Sequence, residues 1–121
     1  LLRALAAAGC RLGILTRNDH ALAKLTLEAI GVGELFDDAD IIGRDEAVPK
    51  PSPDGLQQHL RRWGIAAAQA VMVGDHAYDL DCGRAAGTHT VLVNLPDNPW
   101  PGRADWHFAD CRALLAAWQG A

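Results

Sequence analysis

The chain has 121 residues; half of them are hydrophobic, and 11 Lys and Arg stand against 15 Asp and Glu. This length predicts one domain with a buried core, and the mild acidity argues against a nucleic-acid surface, which needs clustered positive charge. No apolar run is long enough to span a membrane, and we see no signal-peptide pattern, so we expect a cytoplasmic protein with Cys10, Cys82 and Cys111 buried and reduced.

The first half of the chain alternates predicted helices and strands. Hydrophobic spacing predicts a helix at 1–8, a strand at 11–16, a helix from Asn18 or Asp19 to Ile30, and a short strand at 40–43. In the second of these helices, the spacing places Leu22, Leu25 and Ile30 toward the core.

The second half repeats this alternation. Ser52 as N-cap, with Pro53 as the first helical residue, predicts a helix that runs to about Trp63. After it we predict a strand at 70–73, a helix at 77–86, a strand at 90–93, a loop at 95–105, an extended piece at 106–108 and a helix at 112–118 capped by Asp110. Because each connection contains a helix and is too long for a hairpin, the pattern predicts an α/β fold built from parallel βαβ units.

Polar side chains follow three of the predicted strands. They are Thr16, Arg17 and Asn18 after the first strand, Lys50 after the second, and Asp75 and Asp79 after the third. The carboxyl ends of parallel strands share one edge of the sheet, so these residues can converge on one crevice. A hydroxyl and free amides at a helix N-terminus suit a phosphate, a lysine supplies positive charge, and two carboxylates suit Mg²⁺. Together they predict a phosphoryl-transfer site.

Each of these residues also has a purely structural explanation. Thr16 can simply begin a helix, and Arg17 and Lys50 can be solvated surface residues. Asp75 can cap the following helix, and Asp79 can be an exposed acid that favours the helix dipole. The functional interpretation depends on the agreement of their order and placement.

Two aromatic residues are further candidates, whereas other polar residues are assigned structural roles. His76 lies inside the acidic loop, where it can contact substrate or metal, and Trp100, between two prolines, can cover part of the crevice. Asp81 is interpreted as an exposed helix acid. The remaining histidines lack ligand spacing and are interpreted as surface or packing residues; they are His20, His59, His89 and His107.

Three segments occur in a fixed order, namely Ile14-Leu15-Thr16-Arg17-Asn18, Pro49-Lys50-Pro51-Ser52-Pro53 and Gly74-Asp75-His76-Ala77-Tyr78-Asp79. They resemble the second, third and fourth motifs of the haloacid dehalogenase-like (HAD) hydrolase superfamily, specifically of its phosphoglycolate phosphatase-like branch. The resemblance implies a three-layer Rossmann-like core, with a parallel sheet and helices on both faces. It also implies that Thr16 binds the transferring phosphoryl group, that Lys50 steadies the nucleophile and the phosphate, and that Asp75, supported by Asp79, binds Mg²⁺.

The first motif of this family, Asp-x-Asp-Gly-Thr, does not occur in the sequence. Its first aspartate forms an aspartyl-phosphate, and its second acts as general acid and base. In the family, its strand is central, between the strands ending here at Thr16 and Val73, and a helical cap usually follows it. We therefore expect residues 1–121 to be a single partial core domain, without its first strand and cap, whose sheet an upstream segment or another chain completes.

The resemblance implies that the parent protein is a magnesium-dependent phosphatase of a small phosphate monoester, with 2-phosphoglycolate as a candidate. We expect a phosphorylated metabolite as its partner, with neither nucleic acid nor membrane, and we expect residues 1–121 alone to be inactive. The alternative is a non-catalytic α/β binding or interaction domain that kept a metal and phosphate pocket. An in-frame Asp-x-Asp-Gly-Thr upstream of Leu1 favours the enzyme, and a start codon just before Leu1 favours the binding domain.

Overall fold

A computed structural model describes residues 1–120 of the chain. Helices and strands alternate along most of the chain, as the sequence predicts. In order they are α1 (Leu2–Ala7), β1 (Ile14–Leu15), α2 (His20–Ala29), β2 (Ile41–Ile42), α3 (Asp54–Trp63), β3 (Val71–Gly74), α4 (Ala77–Ala86), β4 (His89–Leu92), β5 (Trp106–His107) and α5 (Cys111–Gln119). Among residues 1–120, no helix has the length and apolar character needed to cross a membrane.

The strands form two parallel sheets, which confirms the predicted parallel βαβ organisation. One sheet has the order β1-β2 and the other the order β3-β4-β5. The registers place Ile14 opposite Ile41, Val71 opposite His89, and Val91 opposite Trp106. β1 is shorter than the predicted strand at 11–16, because only Ile14 and Leu15 pair with the two-residue β2.

β1 and β3 are not hydrogen-bonded to each other, so the two sheets have not closed into one. The backbone carbonyl of Leu15 accepts a hydrogen bond from the Lys50 ammonium and not from a neighbouring strand. In β3, the carbonyl of Gly74 accepts a hydrogen bond from the β4 side. Because the peptide groups of alternate residues in a strand point to opposite sides, those of Val71 and Val73 point away from β4. The side chains of these two valines are 50% and 42% exposed. β3 therefore has an open edge and one uncovered face.

Helices pack on both faces of β1, because successive strand side chains point to opposite sides. Ile14 packs into a cluster with α1, α2 and β2, whose buried members are Ala23, Leu27, Phe36 and Ile41. Leu15 packs into a second cluster with α3, β3 and α4, whose buried members are Leu56, Met72 and Cys82. The second cluster connects the two sheets, because it contains side chains from both β1 and β3.

The prediction for the buried face of α2 was wrong. Leu22, Leu25 and Ile30 are 48%, 62% and 66% exposed, whereas Ala23 and Leu27 are buried. Ala23 and Leu27 are four residues apart and share one helix face. This face packs in the cluster that contains Ile41 of β2, and the larger side chains point to solvent.

Two smaller predictions also need correction. α3 begins one residue later than predicted, with Pro53 at the N-cap, although the Ser52 hydroxyl still accepts a hydrogen bond from the Asp54 N–H at 3.2 Å. Of the three cysteines expected to be buried, Cys10 and Cys111 are exposed and only Cys82 is buried. The two exposed thiols precede β1 and begin α5, where no other layer covers them.

Candidate active site

The predicted site residues converge at the carboxyl ends of β1 and β3. They line a cavity of about 300 Å³ together with two aromatic residues; the lining residues are Thr16, Arg17, Asn18, Lys50, Asp75, His76, Tyr78 and Asp79. The cavity lies between the two sheets, since Thr16 follows β1 and Asp75 follows β3. This is the location at which open parallel sheets bind ligands.

Lys50 and Asp79 form a buried ion pair at the base of the cavity. The Nζ of Lys50 lies 2.5 Å from Oδ1 of Asp79, and their side chains are only 13% and 9% exposed. The same ammonium donates to the carbonyl of Leu15 at 3.1 Å. Because little water reaches this pair, the attraction is stronger than between surface charges. Lys50 therefore links the end of β1 to α4.

The second oxygen of Asp79 fixes the loop that leads into α4. Its Oδ2 accepts hydrogen bonds from the backbone N–H groups of Asp75 at 3.1 Å and His76 at 3.2 Å. A Cβ at Gly74 would overlap this carboxylate, so the close approach of acid and strand requires glycine. The explanation of Asp79 as an exposed helix acid is wrong, because the residue is buried and fully engaged.

The carboxylate of Asp75, in contrast, is exposed and makes no hydrogen bond or ion pair within residues 1–120. It does not cap α4. That role belongs to His76, whose Nδ1 accepts the N–H of Tyr78 at 3.2 Å. Asp75 is thus the acid whose oxygens are free to bind a ligand, and Asp79 is the acid that positions Lys50 and the loop.

Thr16 and Asn18 form a tight turn on the other side of the cavity. The hydroxyl oxygen of Thr16 accepts the Asn18 N–H at 3.1 Å, which leaves the hydroxyl proton free to be donated to an anion. α2 begins immediately afterwards, with Asp19 as its N-cap. The positive end of this helix therefore faces the same region as the hydroxyl.

Two aromatic residues, His76 and Tyr78, line the rim of the cavity, and Trp100 packs against His76. The His76 ring lies 4.6 Å from that of Tyr78 and 5.4 Å from that of Trp100, and the Arg17 guanidinium lies 5.5 Å from the Tyr78 ring centre. Sequence reasoning missed Tyr78, because nothing in the spacing shows which way a residue in the first turn of α4 points. Trp100 contacts His76 but does not line the cavity, so its covering of the crevice stays a prediction.

Behind the site, Cys82 is a fully buried thiol. Burial raises the pKa of Cys82 to about 11, with a smaller opposing effect of Lys50. A thiol with such a pKa is almost entirely protonated at neutral pH, so Cys82 is an inert core residue and not a nucleophile.

The donor set around the cavity fits Mg²⁺ better than it fits a fully protein-coordinated metal. No group of three His, Cys, Asp or Glu side chains within residues 1–120 could hold a metal ion. Mg²⁺ commonly uses only one or two carboxylates and completes its shell with water and substrate phosphate. Asp75 supplies such a free carboxylate, whereas both oxygens of Asp79 already accept hydrogen bonds.

A larger cavity of about 560 Å³ lies elsewhere, beside β2 and α3. Several of its charged side chains are already paired with protein groups. Asp38 pairs with Lys24, Arg62 pairs with Asp40, and Glu46 accepts the N–H of Gly43. Size therefore does not identify the site; the free polar groups of the smaller cavity do.

Comparison with known proteins agrees with this geometry. A family model described as haloacid dehalogenase-like hydrolase matches residues 1–87, a span that contains every residue lining the smaller cavity. The chain therefore belongs to the haloacid dehalogenase-like hydrolases. The Rossmann-like α/β fold expected for this family is also confirmed by the solved structures described below.

Two curated relatives illustrate the similarity of this HAD-like chain. A phosphoglycolate phosphatase of Rhodospirillum rubrum is 39% identical over 95 residues, which cover 78% of this chain and 39% of that protein. The pyrophosphatase PpaX of Bacillus velezensis is 36% identical over 86 residues, which cover 71% of this chain and 39% of that protein. The chain thus spans about two-fifths of the length of these relatives.

Two solved structures share the fold over nearly the whole HAD-like chain. A predicted phosphoglycolate phosphatase from Haemophilus somnus has a TM-score of 0.86 at 25% identity and covers 98% of this chain and 54% of its own. A HAD family hydrolase from Deinococcus radiodurans, solved with bound phosphate and sodium, has a TM-score of 0.82 at 26% identity, with coverages of 98% and 56%.

Proposed function

We propose that the complete protein is a magnesium-dependent phosphatase of small phosphate monoesters. The observation that carries this proposal is the cavity in which a buried Lys50–Asp79 pair, a free Asp75 carboxylate and the Thr16 hydroxyl meet. Membership of the HAD-like hydrolases supports the reaction class. The names of the relatives, phosphoglycolate phosphatase and pyrophosphatase, support a small phosphorylated metabolite as substrate, with 2-phosphoglycolate as the first candidate.

In this proposal the residues of the chain bind and orient the phosphoryl group. The Thr16 hydroxyl and the amides near Arg17 and Asn18 donate hydrogen bonds to its oxygens. Lys50, fixed by Asp79, provides positive charge beside the same oxygens. Asp75 would hold Mg²⁺. When bound, this ion supplies charge stabilisation to a transferring phosphoryl group.

We propose that the nucleophile is an aspartate upstream of this chain, as the family resemblance implies. Its carboxylate oxygen forms a bond to phosphorus while the bond from phosphorus to the leaving alcohol breaks. Water then attacks the aspartyl-phosphate, releases inorganic phosphate and restores the carboxylate. An in-frame Asp-x-Asp-Gly-Thr upstream of Leu1 would support this assignment.

The experiment is phosphate release by the complete gene product, measured with 2-phosphoglycolate across a Mg²⁺ titration. Asp75→Asn is expected to lower the Mg²⁺-dependent rate by about 100-fold or more, because metal charge stabilisation is worth several kcal/mol. Asp81→Asn is the matched control, since Asp81 is a half-buried acid of the adjoining helix α4 that pairs with Arg103 at 3.6 Å, away from the cavity. Unchanged activity in Asp75→Asn would overturn the metal assignment.

A further inference from the structure

Arg17 lines the cavity but has no acidic partner. It makes no ion pair and no side-chain hydrogen bond within residues 1–120. Its guanidinium contacts a ring instead, lying 5.5 Å from the centre of Tyr78. A guanidinium over an aromatic face is attracted by it, yet keeps its N–H donors available in the plane of the group.

The placement of Tyr78 separates Arg17 from the phosphoryl end of the cavity. Tyr78 and Asp79 are consecutive residues of the first turn of α4, and consecutive helical side chains point about 100° apart. Asp79 turns inward to Lys50 and is buried, whereas Tyr78 is 42% exposed at the rim. Arg17 is itself exposed and contacts Tyr78, so its charge lies at the open mouth of the cavity, away from the buried Lys50–Asp79 pair.

The charges that line the cavity also single out Arg17. The positive charge of Lys50 is balanced by Asp79 in direct contact, and Asp75 adds a free negative charge. Arg17 is the remaining lining cation, and it forms no ion pair with any described side chain. A planar fork of N–H donors in such a position suits a bidentate oxyanion, either a carboxylate or a phosphate.

We propose that Arg17, supported by the face of Tyr78, binds a second acidic group carried by the leaving-group side of the phosphate ester. The substrate class is then a small phosphate compound with two anionic ends, the second end being a carboxylate or another phosphate. This inference rests on the proposed phosphatase function. Arg17 is a specificity-determining residue in it, and Tyr78 is a positioning residue that acts through Arg17.

The test compares substrates that share the transferring phosphoryl group and differ at the other end. 2-Phosphoglycolate and ethyl phosphate differ by replacement of the carboxylate with a methyl group, and pyrophosphate carries a phosphate there. For the complete gene product we expect higher kcat/KM for an acid-bearing substrate than for ethyl phosphate. The preferred substrate, 2-phosphoglycolate or pyrophosphate, identifies which oxyanion the site takes.

The preference is the kcat/KM for the acid-bearing substrate divided by the kcat/KM for ethyl phosphate. Arg17→Gln is expected to lower this ratio by about 10- to 100-fold, the range for a charge-assisted hydrogen bond. Tyr78→Leu should raise KM for the acid-bearing substrate more than it lowers kcat, whereas Tyr78→Phe keeps the ring face and the ratio. Arg11→Gln is the matched control, because it removes the same charge from an exposed residue before β1, at the opposite end of the strand.

The outcomes separate this inference from the proposed function. Phosphate release from all three substrates with no preference for an acidic group would overturn the inference and leave the phosphatase intact. An equal loss on all substrates in Arg17→Gln would also overturn it, since Arg17 would then bind the transferring phosphoryl group. No phosphate release from any substrate would overturn the proposed function, and the inference with it.

Discussion

Replacing Asp79 by Asn should strongly destabilise the protein, because it leaves the Lys50 ammonium buried without a counter-charge. Lys50 is 13% exposed and would keep only the Leu15 carbonyl as acceptor. The Asn oxygen can still accept the two loop amides, but its NH₂ group then faces the ammonium, donor to donor. Removing one partner of a buried pair costs about 3–5 kcal/mol, a large part of the roughly 5–15 kcal/mol of a typical domain.

The measurement is urea unfolding followed by tryptophan fluorescence, with the free energy of unfolding obtained by linear extrapolation. Lys50→Met should lower the free energy of unfolding by a similar amount, since it leaves the Asp79 carboxylate buried without a counter-charge. The double variant Lys50→Met with Asp79→Asn leaves no unpaired buried charge. It should therefore cost less than the sum of the single variants, by about 2 kcal/mol or more.

Asp81→Asn provides the comparison for a surface ion pair on the same helix. Asp81 and its partner Arg103 are 40% and 48% exposed at 3.6 Å, and such pairs contribute about 0–1 kcal/mol. The reasoning is refuted if Asp79→Asn costs no more than Asp81→Asn, or if the two single effects at Lys50 and Asp79 simply add.

Three other properties can be checked with the purified protein. Residues 1–121 alone are expected to release no phosphate from 2-phosphoglycolate, because the resemblance places the nucleophile upstream; robust turnover would place it within this chain. At about pH 8, a thiol reagent should label Cys10 and Cys111 in the folded state but Cys82 only after unfolding, given its burial and its pKa of about 11; immediate labelling of all three would show that Cys82 is accessible. Burial lowers the pKa of His59 below its ordinary value of 6.5. As the pH drops below about 6.5, the unfolded chain is protonated at His59 before the folded protein, so the free energy of unfolding should fall. The urea midpoint should therefore decrease between about pH 7.5 and pH 5, and it should decrease less in His59→Gln; equal slopes in the two proteins would exclude His59 as the cause.

Local signals in the sequence predicted α4 and its loop well. The helix occupies Ala77–Ala86 as predicted, because Gly87 adopts φ of 83° at its C-cap, a conformation that glycine accepts readily. Gly74 is equally informative, since the strand and the Asp79 carboxylate are too close for any side chain at that position. The positions of the polar residues after the strands followed from the parallel topology alone.

The different roles of Asp75 and Asp79 could not be predicted from the sequence. Both acids lie in one short motif, and their roles separate only because Lys50, 29 residues earlier than Asp79, reaches one of them. The prediction of which face of α2 is buried was wrong for a similar reason. Its leucines occur on more than one side, and the choice of Ala23 and Leu27 as the buried face depends on packing against β2.

The cavity is built from two separate sheets, and this has a consequence for how a ligand acts on the molecule. Thr16 belongs to the β1 side and Tyr78 to the β3 side, and no strand hydrogen bond joins the two. In residues 1–121, a ligand held from both sides would cross-link two sheets that are otherwise joined by the connecting chain and by side-chain contacts such as the Lys50–Asp79 pair. Its binding would reduce fluctuations of one sheet against the other and slow amide exchange along β3. By thermodynamic reciprocity, any interaction that fixes the sheets in their ligand-bound arrangement also raises the affinity for the ligand.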